Sequence, residues 1–188
     1  MAEARRNIDQ ALAQSLKKLT VRRPFDKITV REIAEGAGVI RATFYRHFQD
    51  KYDLLRWIVQ TEILDPVHIL MVNEMYREAI RLIFLNLLHD REFYQHAARM
   101  EGQNSFSEIS RESIYRFLYG LFTAQIGNRR QEHIWMTPEY LASYYAESMN
   151  FVVMRWIETG MKASPDEIVA VYEYIGTRSL GDLLPELK

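Results

Sequence analysis

Between Thr29 and Lys51 the sequence gathers side chains that can grip a phosphodiester backbone and read base edges. Arg41 can hold a guanine through a bidentate pair, and the Thr43 methyl or hydroxyl can meet a thymine or a phosphate. Ala42 is small enough to bring a backbone up to a thymine methyl. Tyr45, His47 and Lys51 carry polar tips suited to phosphates, contacts that position a protein without reading sequence, and Arg46 is a further DNA-binding group beside them. Thr29 and Arg31, a few residues earlier, extend the same polar, basic surface.

These groups need a helix presented end-on to a groove, and the local sequence supplies one. Thr29 is an N-cap with Glu32 three residues on, the pattern of a capping box, so a helix is expected over 30–37. Gly38 suits the left-handed residue of a sharp turn. A second helix then runs from Val39 to His47–Phe48, locked to the first by Ile33, Ala34, Val39 and Phe44. This is the layout of a helix-turn-helix reader. Ahead of it, Ile8, Leu12, Leu16 and Leu19 form one stripe of a helix over 3–22, which Arg22-Arg23-Pro24 ends. Behind it, Asp50 caps a helix through Leu54, Leu55, Ile58 and Leu64, packed on the reader through Phe48 and Leu55. Pro66 is expected to kink or end that helix. Further helices are expected at 73–88, 91–101, 105–127, 138–160 and 165–181, with loops at 102–105 and 127–136 and a fraying tail around Asp182 and Glu186. Thr137-Pro138 and Ser164-Pro165-Asp166-Glu167 mark two of these starts. Strand signals are scarce. The expected fold is all-α with about nine helices. Residues 1–51 form a helix-turn-helix domain, and residues 52–188 form a larger helical ligand-binding and dimerisation domain.

Composition agrees. A 48% hydrophobic share supports a packed core, and the absence of cysteine excludes disulfides and thiolate metal sites. The net charge of −1 conceals an asymmetry. Residues 1–51 hold 11 Lys and Arg against 6 Asp and Glu, and residues 52–188 hold 13 against 19. A basic head on an acidic body suits a partner made of phosphates. No run reaches the roughly 20 apolar residues of a membrane span, and the N-terminus lacks a secretory signal's apolar core, so a cytoplasmic protein without membrane partners is expected.

Aromatic and methionine side chains crowd residues 84–161. Most belong to a helical core. Phe117, Leu121, Tyr145 and Met149 are the candidates to line a pocket. His89, Glu92 and His96 share a helix face, but a solvated face is the simpler reading and no metal is expected. No nucleotide-binding glycine fingerprint, serine elbow or zinc-protease motif is present, so neither an enzyme nor a cofactor is expected.

The stretch Ile28-Thr-Val-Arg-Glu-Ile-Ala-Glu-Gly-Ala-Gly-Val39, followed by Thr43-Phe-Tyr-Arg-His-Phe-Gln-Asp-Lys51 and Leu54-Leu55, resembles the N-terminal module of TetR-family transcriptional regulators over about residues 8–58. Trp156-Ile-Glu-Thr-Gly160 and Ser164-Pro-Asp-Glu167 are similar to the ending of one branch, which includes regulators and coactivators of dihydroxyacetone kinase operons. The resemblance implies a homodimer on double-stranded operator DNA, with the last two long helices forming a four-helix interface. It also implies a small-molecule effector in the body, whose identity the residues do not give, and a fourth helix that moves to change the spacing of the two heads. The pocket candidates above follow from where the family's pocket helices lie. The expected function is a ligand-responsive regulator, a repressor rather than an activator. The alternative is a coactivator or adaptor with weakened DNA binding that acts through a protein partner. Two departures keep that alternative open. Ile40 stands where the family often has a capping serine or threonine, and Gly36 stands where a charged residue is frequent.

Overall fold

Helical spacing of the apolar residues carries through to the structure, a computed structural model that describes residues 2–126, 135–179 and 181–183. All regular elements among the described residues are helical. The head comprises α1 (Ala2–Arg22), α2 (Val30–Gly36) and α3 (Arg41–His47). The chain continues through α4 (Lys51–Ile58), α5 (His68–Val72), α6 (Tyr76–His89) and α7 (Arg91–Ala97) to the long α8 (Phe106–Ile126), α9 (Pro138–Glu158) and α10 (Pro165–Gly176). The buried residues form one continuous cluster from Leu12 on α1 to Met161 after α9. Phe84 and Trp156 meet edge-on at 5.0 Å within it, and the Trp156 indole donates to the Ala163 carbonyl at 2.9 Å.

Caps set several of the starts. Thr29 and Ser164 each form a full capping box, with Glu32 and Glu167 reaching back to the cap residue. Asp50 and Thr137 cap α4 and α9 through the Asp53 and Tyr140 amides. Other boundaries differ from expectation for local reasons. Ile40 is extended, at φ −83° and ψ 154°, so α3 begins at Arg41 rather than at Val39. Glu74 takes a left-handed φ of 60°, which delays α6 to Tyr76. Helix α7 stops at Ala97 rather than near 101, and α10 stops at Gly176 rather than at 181. Most of the loop expected at 127–136, and Glu186 of the tail, lie outside the described residues.

Pro66 does not end the fourth helix. After α4 the run passes through a π turn, Val59–Leu64, and a 3-10 turn, Asp65–Val67, into α5. Proline has no N–H for the carbonyl four residues back, which is that of Glu62. Asn86 of α6 supplies the missing donor, its side-chain nitrogen reaching the Glu62 carbonyl oxygen at 2.9 Å. The helical path survives its proline because a neighbouring helix satisfies the orphaned acceptor.

Candidate nucleic-acid interface and ligand cavity

The turn between α2 and α3 closes as a Schellman motif. Gly38 has φ +71°, and the Val39 amide donates to the Ala34 carbonyl at 3.0 Å. Gly36 has a packing role that the sequence did not disclose, because a Cβ there would run into the Ser15 side chain of α1. Its glycine lets the two helices cross closely. Phe44 is buried and touches Phe48 (5.9 Å between ring centres), which in turn meets Trp57 of α4 at 5.9 Å edge-on. The reading helix is thereby seated on the fourth.

On the outer face of α3, Arg41, Ala42, Tyr45 and Arg46 are exposed, and Thr29 and Arg31 are exposed beside them. The Arg41 guanidinium lies over the Tyr45 ring at 5.3 Å and donates to its hydroxyl at 3.1 Å. Arg31 pairs with Glu35 one turn along α2 at 2.7 Å, and that partner raises its pKa. Glu32 is held down to about 2, first by the Arg23 guanidinium at 2.5 Å and then by the Thr29 hydroxyl and amide.

Three of the expected contact residues sit differently. Thr43 is only 8% exposed, and its hydroxyl accepts from Arg46 at 3.1 Å, so it packs under the helix rather than projecting from it. His47 is half-buried, its Nδ1 lying 2.6 Å from Asp9 Oδ1 of α1. A carboxylate can only accept, so Nδ1 carries the proton, and Nε2 can donate to a phosphate only when the ring carries both. Lys51 turns inward, and its ammonium donates to the carbonyls of Phe25, Asp26 and Ile28 at 2.9, 3.0 and 3.0 Å. These three bonds use all its donors, and burial lowers its pKa. Lys51 clamps the turn before α2 where a phosphate anchor was expected.

A buried lysine joins head to body. Lys17 of α1 is 5% exposed and forms ion pairs with Glu62 of the π turn and with Asp90 at the start of α7, the latter at 2.7 Å. Beside this triad the Tyr94 hydroxyl is buried without a hydrogen-bond partner. Burial, and then the charges of Glu62 and Asp90, push its pKa well above the usual phenol value.

The body encloses a cavity of about 410 Å³. Phe117, Leu121, Tyr145 and Met149 all line it, as do Val59, Ile63 and Leu64 of the π turn. Its wall contains no charged side chain among the described residues. Tyr76, Ser110 and Tyr172 also contribute, and nothing in their spacing marked them in advance. His96 Nδ1 contacts the Glu92 carbonyl at 2.8 Å within its own helix, and no group of three potential metal ligands occurs among the described residues. No helix among them is long and apolar enough to cross a membrane.

The sequence pattern of bacterial regulatory proteins of the tetR family matches residues 15–58, and that of a transcriptional regulator C-terminal region matches residues 74–175, over half of the chain. A curated relative, the HTH-type dhaKLM operon transcriptional activator DhaS of Lactococcus lactis, is 26% identical over 84 residues, which is 45% of each protein, so the match spans under half of the relative's length. Among solved structures, the dihydroxyacetone kinase operon activator DhaS superposes with a TM-score of 0.59 at 18% identity, covering 89% of this chain and 93% of that one. Thermus thermophilus FadR, a repressor solved with lauroyl-CoA, does so with a TM-score of 0.56 at 17% identity, covering 91% and 95%. At these identities the structural likeness is one of fold.

Proposed function

The chain belongs to the TetR family of bacterial transcriptional regulators, and from that premise we propose that it binds operator DNA as a homodimer and is switched by a small molecule held in the cavity of its body. One observation carries the reading. Helix α3 presents Arg41, Ala42, Tyr45 and Arg46 outward together, on a face backed by the capped α2 and the Gly38 turn. Residues 1–51 act as the head and 52–188 as the sensing and dimerising body. Tyr144 and Phe151 on α9 and Val171 and Ile175 on α10 are exposed, which supports pairing of two copies through these helices. The cytoplasm is the compartment such a reader works in.

Within this reading, Arg41 and Ala42 approach base edges while Tyr45, Arg46, Thr29 and Arg31 meet phosphates. Thr43 and Lys51 hold the helix and its supporting turn, and His47 adds a phosphate contact in its doubly protonated form. The π turn lies on the cavity wall and also carries Glu62, so occupancy of the cavity acts on the contact between body and head. A ligand preferring one arrangement by a few kcal/mol is enough to change operator occupancy. Repression, relieved by ligand, is the sign adopted. The name of the Lactococcus relative carries the opposite sign, and a reporter placed under the operator distinguishes the two.

The direct experiment selects a binding site from random duplexes and titrates it against salt. Affinity is expected to fall steeply as salt rises. Arg41→Ala is expected to cost about 1–3 kcal/mol and to relax preference at one base pair. Arg46→Ala is expected to weaken all sequences alike and to lower the salt slope by about 1. The uncapped start of α3 at Ile40 favours the second reading, an adaptor acting through a protein partner. Weak binding indifferent to sequence would establish it in place of the first.

A further inference from the structure

The shape of the cavity narrows the class of molecule it can take. Along α8 its wall runs from Phe106 to Gln125, a rise of about 28 Å. Exposure grows steadily along that line. Phe106 is 1% exposed, Ser110 4% and Ile114 8%. Phe117, Leu118, Leu121 and Phe122 are half-buried, and Gln125 is exposed. The closed end abuts the fully buried Tyr94, and the open end is flanked by the exposed Tyr145 and Tyr76. A volume of about 410 Å³ drawn out over this length describes a blind channel rather than a round chamber.

The chemistry of the wall changes in the same direction. The closed end offers aromatic and branched aliphatic side chains with the small Ser110 among them. Amide and phenol groups gather toward the mouth, at Gln125, Tyr145 and Tyr172. Two arginines of the nearby α6 are already paired with α10, Arg77 with Glu173 and Arg81 with Asp166. The segment leading to Tyr76 exposes Ile69, Val72 and Met75, an apolar approach to the opening.

We infer that the channel takes an unbranched aliphatic chain, tail first, with the polar head of the amphiphile held at the mouth. This rests on the cavity being the sensory site. One lipid tail spans half of the roughly 30 Å hydrocarbon core of a bilayer, so the channel holds a whole tail and leaves room for a head. With no cation among the described residues of the wall, tail length is expected to set most of the affinity and the head to tune it. A free carboxylate, a thioester and an alcohol share the tail and differ only in that head.

The test is calorimetric titration of the purified full chain with octan-1-ol, decan-1-ol and dodecan-1-ol, alongside 1-adamantanol, which has the same carbon count as decan-1-ol in compact form. Each added methylene is expected to tighten binding about fourfold until the closed end is reached. Decan-1-ol is expected to bind at least tenfold more tightly than 1-adamantanol. Decanoate and decanoyl-CoA series repeat the slope, and the tightest of the three heads identifies the source of the tail. Ser110→Phe, which shortens the channel from its closed end, is expected to lower the chain length at which the gain per added methylene stops. The wild-type series decides the matter if that variant does not fold. A flat dependence on length in every head series, or tighter binding of 1-adamantanol, overturns the inference while the sensory reading stands. If neither chains nor rings bind, the sensory reading falls as well.

Discussion

In the first 51 residues, close approaches between elements are pinned by directed bonds. His47 is tied to Asp9, Lys51 to three carbonyls of the turn before α2, and Arg23 to Glu32. The cavity walls of the body meet mostly through apolar side chains, with no charge between them among the described residues. Directed bonds fix distance and angle, so a displaced partner loses its bond. Dispersion contacts are individually weak and are re-formed when side chains shift. The head is therefore built to keep one geometry for a rigid groove, and the body to accept a change of filling.

Four substitutions test that contrast. The largest effect is expected at the joint. Lys17→Met leaves Glu62 and Asp90 facing each other unpaired, and breaking such a buried pair costs about 3–5 kcal/mol. Both carboxylates keep about 30% of their surface exposed, which places the loss near about 3 kcal/mol in urea unfolding. Next is Lys51→Met, which strips a donor from three carbonyls at once and is expected to cost about 2 kcal/mol. An unchanged Tm for this variant would mean that the head does not depend on its directed bonds. Ile40→Ser works in the opposite sense. Ile40 is 72% exposed and makes no cap bond, so a hydroxyl there is expected to add about 1 kcal/mol and to raise operator affinity. No rise in either quantity would show that the α3 start needs no cap.

The smallest effect lies at Glu32. Its carboxyl titrates at about 2 when folded, against an ordinary value of 4.5. The folded pKa is depressed, so its contribution is complete above about pH 4.5 and is lost as pH falls toward 2. Glu32→Gln is expected to flatten that part of the Tm-against-pH curve. Because the pair is open to solvent, added salt is expected to shrink the difference between the two proteins.

The features legible in the sequence are those written within one or two helical turns. Thr29 with Glu32, Asp50 with Asp53 and Ser164 with Glu167 cap helices where their spacing says they should, and Gly38 takes the left-handed turn. The uncapped state of Ile40 was equally local. What could not be read are bonds between residues far apart in the chain. Lys17 and Lys18 are neighbours of one type, yet Lys17 is buried against two carboxylates and Lys18 faces solvent. Only the distant positions of Glu62 and Asp90 separate them. The same holds for Pro66, whose local signal for a helix break was sound. Its effect is offset by Asn86, twenty residues later, which no periodicity connects to it. At Gly36 the departure from a frequent charged residue was visible, but the reason for it, the Ser15 side chain on another helix, was not.

Helix α1, which α2 crosses closely at Gly36, has a mechanical consequence. It carries Asp9, which holds the reading helix through His47, and Lys17, which holds Glu62 and Asp90 of the body. Eight residues of one helix separate these two grips, about 12 Å of stiff rod. The body thus has two couplings to the reading helix. One runs through α4 beneath Phe48, and the other runs along the middle of α1 like the beam of a balance, with its two pans at opposite ends of the same short span.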